Sequence, residues 1–253
     1  MAGADTLALS GPVLTMRVAG NGSAVRDRAT LVLATRIIAG AYPPETLLPT
    51  ESRLVAELGV SRTALREAVR TLAAKGFLEA KQRVGTRVRP THEWHRLDPD
   101  VLGWMSEVGL DLDFVTGLIE FRLVVEPAAA ALAAERASAN ELALIETAYL
   151  GMVRHLPNDI EACVQADVAF HTAILKASRN PVFANLGNII SAALHSAFRL
   201  TTSASRSYAR TLDAHGEVLE AIRMRDPETA RSQMQFLIGI AAEDVRSAPV
   251  LSA

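Results

Sequence analysis

The sequence predicts a mostly α-helical chain in two parts, a compact basic unit closed by a β-hairpin and then an all-α bundle. Three observations predict it. Strand-like segments are confined to residues 77–88, apolar residues recur at helical spacing through nearly all of the rest, and the charge is split between the two parts. Residues 24–91 hold 12 Arg and Lys against 6 Asp and Glu, a surplus of +6, whereas residues 92–253 hold 13 against 21, a balance of −8. A basic segment beside an acidic one is what a chain needs when one part meets a polyanion and the other does not; a solvated imbalance without a partner would look the same.

Composition narrows the classes. At 49% hydrophobic residues over 253 positions the chain can bury a sizeable core, which excludes disorder for the bulk of it. The single cysteine, Cys163, can form no internal disulfide and leaves no Cys cluster for structural zinc, which points to a reducing, cytoplasmic setting. No apolar run approaches the roughly 18 to 20 residues of a membrane helix, and residues 1–23 lack an export pattern, so no membrane partner is expected.

Residues 1–23, rich in Gly, Ala and Ser, are expected to be a flexible tail. From about Ala24, Val25, Ala29, Val32, Leu33 and Ile37 follow helical spacing until Gly40 and Pro43-Pro44 stop it. Thr50 and Glu51 precede a short amphipathic helix at Arg53 to Leu58, Gly59 supplies a tight turn, and Ser61 N-caps a helix that runs to about Lys75 and ends at Gly76. Phe77–Ala80 and Thr86–Val88 flank a basic tip as a hairpin. Three helices and a hairpin in this order make a winged helix-turn-helix, assigned to residues 24–90. Residues 91–110 form a linker and a connecting helix, with Trp94 and Trp104 packing the seam. Residues 111–248 are the bundle. Its apolar blocks cover 111–137, 139–155, 159–178, 181–204, 207–224 and 227–246, and Pro127 should kink or break the first.

The helix after Ser61 carries the chemistry of DNA reading. A helix enters the major groove usefully only if its first turn presents donors to base edges, and Ser61, Arg62, Thr63 and Arg66 supply hydroxyls and guanidiniums there. Leu65, Val69 and Leu72 point the other way. An amphipathic helix pair alone would share the apolar spacing, but not the Gly turn, the cap, the Arg-bearing first turn and the basic hairpin in succession.

In the bundle, Asp167 and His171 stand four apart and so share one helix face, with His215 available to close a site for a divalent metal; a histidine bonded to a carboxylate in a buried cleft has the same spacing. Arg122 lies on a stripe that faces the core, where it must meet an anion, either Glu126 one turn on or a ligand. His195 and Arg199, also four apart, are candidates for the same cavity. A metal-dependent enzyme built on Asp167, His171 and His215 is the alternative, but no evident general base, phosphate loop or nucleophile motif accompanies them.

These segments resemble the GntR family of bacterial transcription regulators. Ala41–Pro49, Leu48–Leu72 and Gly76–Val88 are similar to the family's winged domain. Glu120–Pro127, Asp167–Pro181 and His215–Asp226 are similar to the FCD effector domain of its FadR-type subgroup. The resemblance implies a homodimer on a palindromic double-stranded DNA operator, usually as a repressor. It puts Ser52, Arg53, Ser61, Arg62, Thr63 and Arg66, with Arg83 and Thr86 of the wing, at DNA-contact positions. It implies a small organic acid as effector, meeting Arg122, Asp167, His171, His195, Arg199 and His215. The segments Gln82–Val88 and His95–Met105 are most similar to regulators sensing galactonate, other aldonates or hexuronates. In the family an Asp and three His bind a metal such as zinc or nickel. Here the fourth position falls on Leu237, which leaves a three-ligand site with open positions or a pocket that works without metal.

Overall fold

The computed structural model describes residues 22–81, 84–200 and 204–247. Three helices, α1 (Gly22–Ile38), α2 (Glu51–Leu58) and α3 (Arg62–Ala74), lead into a hairpin of β1 (Leu78–Lys81) and β2 (Gly85–Val88). The strands pair antiparallel with Leu78 opposite Val88 and Lys81 opposite Gly85, and Leu47 bridges Arg87 on the outer side. Gly59 takes the left-handed conformation that turns α2 into α3, and the Ser61 hydroxyl accepts the Ala64 N–H at 3.1 Å to cap α3. The core of this part gathers Leu33 and Ile37 of α1, Leu65 and Leu72 of α3, and Phe77.

The linker is folded onto that core. Trp94 stacks on Phe77 with ring centroids 4.3 Å apart and donates its indole N–H to the Arg89 carbonyl at 3.0 Å. Trp104 meets the edge of Phe77 from α4 (Pro99–Val108), whose Val101 and Met105 join the same cluster. Asp98 caps α4 and accepts from Lys75 Nζ at 2.6 Å, with Asp100 at 2.8 Å. Both tryptophans therefore pack against the winged unit. At Gly76 the backbone has φ of 82°, and an added Cβ would lie 2.4 Å from the Glu93 carbonyl oxygen.

Seven helices follow: α5 (Leu112–Arg136), α6 (Ala139–His155), α7 (Ile160–Ala177), α8 (Pro181–Ala184), α9 (Gly187–Leu200), α10 (Ala204–Arg223) and α11 (Pro227–Ser247). Asp111, Ser138, Asp159 and Asn180 accept backbone N–H groups at the starts of α5, α6, α7 and α8. Ala129, Ala130, Ala133 and Ala134 of α5 are fully buried, and their small side chains let α11 lie close along it. Of the kink or break expected at Pro127, no break occurs, since α5 continues through it as one helix. A proline inside a helix costs about 3 kcal/mol through its missing N–H and the clash of its ring with the preceding turn, and Pro127 is buried among the core-facing residues of α5. The block at 181–204 is instead two helices, α8 and α9, separated at Asn185-Leu186. Among the described residues, no helix is long and apolar enough to cross a membrane.

The Gly76 geometry generates a prediction. Gly76→Ala should lower stability by about 2–3 kcal/mol, because it combines a left-handed backbone with a backbone clash. Gly40→Ala, with φ of 80° but nothing within 4 Å of the added carbon, should cost only about 1 kcal/mol. Denaturant melts of the two variants side by side check this; equal losses would mean that the Glu93 contact yields freely.

Candidate functional site

On the winged unit, Ser52, Arg53, Ser61, Arg62, Thr63 and Arg66 are all exposed, on the side of α2 and α3 away from Leu54, Leu65 and Leu72. Arg66 Nε donates to Glu51 at 3.1 Å and Arg53 Nε to Glu57 at 2.6 Å, both on the surface. The Ser61 hydroxyl is engaged in its own cap. Thr86 is half-buried, and its carbonyl accepts the Leu48 N–H at 2.8 Å. Arg83 lies outside the described residues.

The bundle holds a cavity of about 60 Å³ between α5, α7, α9, α10 and α11, lined by the polar residues Arg122, Asp167, His171, Thr211, His215 and Asp244 and by apolar residues that include Leu194 and Leu237. Arg122, Asp167, His171 and His215 are at most 3% exposed. Asp167 Oδ1 lies 3.2 Å from His171 Nε2 and 3.0 Å from His215 Nε2. The three ligand atoms Asp167, His171 and His215 offer lie within 4.8 Å of one another.

What sits behind the imidazoles decides the chemistry. His215 Nδ1 is 2.7 Å from the Thr211 carbonyl, which only accepts, so Nδ1 carries the hydrogen and donates it. His171 Nδ1 donates likewise to the Glu126 carboxylate. Both Nε2 lone pairs are then left facing one another and a carboxylate oxygen. Arg122 Nη2, 3.3 Å away, can donate to His171 Nε2, whereas Asp167 Oδ1 and His215 Nε2 face each other at 3.0 Å as acceptors that a metal or an added proton would reconcile, and two imidazole nitrogens with one carboxylate oxygen make a donor set suited to zinc or nickel. Without metal, protons serve. Burial opposes a charge on His171, but the Glu126 carboxylate and the bonds to Asp167 and Glu126 outweigh it and raise its pKa. Burial would also raise the Asp167 carboxyl, yet its bonds to the two histidines hold it well below the usual carboxylate range.

Arg122 is the second chemical feature. Its Nε donates to Glu126 at 2.6 Å, its Nη2 lies 3.3 Å from His171 Nε2, and its Nη1 is buried with no hydrogen-bond partner among the described residues. The two options that the sequence left for Arg122 are thus both visible at once, an internal carboxylate and a donor still to be met. Burial pushes Glu126 up, but Arg122 and His171 hold its pKa at about 2. Sequence reading saw Glu126 only as a partner of Arg122. Its bond to His171 joins α5 to α7 between residues 45 apart in sequence and has no local signal.

His195 is not brought into this cavity. Leu194, Ala197 and Phe198 are the α9 residues that line it, and His195, a 100° step round the helix from Leu194, instead lines a separate cleft with Ser106, Glu107 and Glu161. The Arg199 side chain lies outside the described residues. Leu237, 3% exposed, stands at the cavity wall and offers no ligand atom.

Comparison with known proteins joins the two halves. The family described as bacterial regulatory proteins, gntR family, matches residues 26–88, and the FCD domain matches residues 117–239. The chain is 37% identical over 213 residues to the galactonate operon transcriptional repressor of Escherichia coli (strain K12), covering 84% of this chain and 93% of that protein. It is 35% identical over 208 residues to the uncharacterized HTH-type transcriptional regulator YieP of the same strain, covering 81% and 89%. The fold is also similar to that of a solved structure described as "Lar controls the expression of the Listeria monocytogenes agr system and mediates virulence", with 21% identity, TM-score 0.66, and coverage of 88% of this chain and 97% of that one. With a basic helical unit closed by a hairpin on one part and a buried polar cavity in the other, the chain belongs to the gntR family of bacterial regulatory proteins and is a transcription regulator whose second part is an FCD domain.

Proposed function

We propose that this regulator binds a palindromic DNA operator as a homodimer, represses from it, and is released when a small organic acid of the sugar-acid class enters the FCD cavity. The observation that carries the reading is the cavity itself, where three metal-ligand side chains share one space with a buried arginine that keeps an N–H unpaired among the described residues. Arg122 Nη1 suits one carboxylate oxygen of an acid. Asp167, His171 and His215 would hold one divalent ion, zinc or nickel, which supplies a positive charge and coordination positions for a carboxylate or hydroxyl oxygen. Leu237 keeps those positions free of a fourth protein ligand.

Similarity to a galactonate operon repressor supports the substrate class. On the DNA side, Ser52, Arg53, Ser61, Arg62, Thr63 and Arg66, with Thr86 and Arg83 of the wing, are proposed as the contact set. The exposed Arg66–Glu51 and Arg53–Glu57 pairs are weak in water, so their arginines can be exchanged onto phosphates or base edges at little cost. The relatives are transcriptional regulators, which favours ligand sensing over turnover in the cavity. An effector shifts the operator equilibrium only by its differential affinity for the free and DNA-bound forms. Structurally, α9 lines the cavity and packs on α4, which shares the core of the winged unit.

Arg62→Ala and Arg66→Ala should each weaken binding to an operator selected from random DNA by about 1–3 kcal/mol and relax preference at one base position per half-site. Competition against random DNA measures this, and unchanged specificity in both variants would rule out α3 as the reading helix. The full chain should sediment as a dimer at micromolar concentration; a monomer would remove the palindrome with it.

Zinc or nickel and galactonate should bind cooperatively in calorimetric titrations, each tightening the other. His171→Ala should weaken both, whereas Arg122→Lys, which keeps the charge beside Glu126 but loses the planar fork, should weaken the acid at least about tenfold and spare the metal. Acid binding at full affinity to metal-free protein would leave a pocket built on Arg122 and hydrogen bonds alone.

A further inference from the structure

Glu126 lies one helical turn from Arg122 on α5, is 1% exposed, and has both carboxylate oxygens committed. Oε1 accepts from Arg122 Nε at 2.6 Å, and Oε2 accepts from His171 Nδ1 across to α7. An arginine Nε can only donate, so one end of residue 126 must be an acceptor. A carboxylate has only acceptors, so its other end requires the hydrogen on His171 Nδ1 and leaves Nε2 as an acceptor, 3.3 Å from Arg122 Nη2 and 3.2 Å from Asp167 Oδ1. Thr211 imposes the same arrangement on His215 through a backbone carbonyl that no substitution removes. For His171 the choice is made by replaceable side chains, Glu126 directly at Nδ1 and, at 3.3 Å from Nε2, the Arg122 Nη2 that Glu126 itself holds.

We propose that Glu126 is the positioning residue of the effector site. It fixes the ring orientation and tautomer of His171 so that Nε2 faces Asp167 and His215, and with the same carboxylate it holds Arg122 so that Nη1 is left for an anion. The metal-ligating and acid-binding halves of the cavity are thereby set by one side chain. The proposal rests on the metal-and-acid reading above, and it differs from a plain buried ion pair in what it demands of the histidine. In Glu126→Gln the amide carbonyl must turn to Arg122 Nε, which places the NH2 against His171 Nδ1. Nδ1 then has to accept, the hydrogen moves to Nε2, and that nitrogen can no longer ligate.

The test uses the full chain with zinc alone as the probe. Zinc affinity is read by competition with a chromophoric chelator, and the His171 tautomer by 15N NMR of metal-free protein at alkaline pH. Glu126→Gln should weaken zinc by about 10- to 100-fold and move the His171 hydrogen from Nδ1 to Nε2. Adding Arg122→Met frees the amide to turn its carbonyl to His171, so the double variant should return to within a few-fold of wild-type affinity. Wild-type zinc affinity with the hydrogen still on Nδ1 in Glu126→Gln would overturn the proposal, and so would a double variant no better than the single one. If Glu126→Gln fails to fold with its guanidinium unopposed, the neutral Arg122→Met/Glu126→Gln variant should still bind zinc and Arg122→Met/Glu126→Leu, which offers no acceptor, should not; equal binding by these two overturns it. If wild-type protein takes up no zinc, the metal reading falls, and the NMR tautomers alone decide for or against Glu126.

Discussion

A single carboxylate oxygen, Oδ1 of Asp167, met by the Nε2 atoms of two histidines in the middle of a helical bundle, is the constraint around which the second half of this chain is arranged. Removing a charge from water costs several kcal/mol even after relaxation, so each buried ion must find its compensation nearby. The compensation here comes in layers. The histidines face Asp167, Glu126 backs His171, Arg122 backs Glu126, and the Thr211 carbonyl backs His215. Three helices contribute, and a shift of α5 or α10 by a turn would break the bonds that tie Glu126 to His171 or His215 to Asp167. The apolar core that surrounds the cluster, including Phe170 with its ring edge-on to both imidazoles, fixes the distances that the polar groups need.

Local periodicity made part of this legible in advance. Asp167 and His171 are four apart on α7, and Arg122 and Glu126 four apart on α5, so each pair could be read as one helix face from the sequence alone. The bond between the pairs could not, because which face of α5 meets which face of α7 depends on the docking of whole helices. His195 shows the same limit from the other side. Its spacing to Arg199 is sound, but one step round α9 separates the cavity wall from the cleft near Glu107 and Glu161. Pro127 lies inside α5 without breaking it, whereas Gly59 and Ser61 are local rules that nothing opposes, and the turn and cap at α3 follow them.

The cavity and the exposed face of α2 and α3 handle charge in opposite ways. In the cavity, ionised groups are dehydrated and locked to one another, which makes the arrangement specific and unforgiving. On the face of α2 and α3 the ion pairs are wet and replaceable, since Arg66 and Arg53 hold glutamates that water screens. A surface that must exchange partners needs weak internal pairs, and a pocket that must hold one geometry needs strong ones.

The helix between the two parts of the chain, α4, is built into the core of the first part and also packs on α9 of the bundle. Val101 and Met105 complete the hydrophobic cluster that Phe77 and Trp94 begin, and Lys75 at the end of α3 is tied to Asp98 and Asp100 at the start of α4. The segment that shares this core runs past Gly109 to Leu110 and Phe114, and Arg96 lies over the Phe114 ring and pairs with Asp111. Gene rearrangements or engineered chimeras that exchange the second part at Pro90 would strip the indole from Phe77 and leave Lys75 without its carboxylates. A splice at Gly109-Leu110 would keep those contacts and still part Arg96 from Asp111 and Phe114, so a chimera that preserves the core has to carry the start of α5 with it.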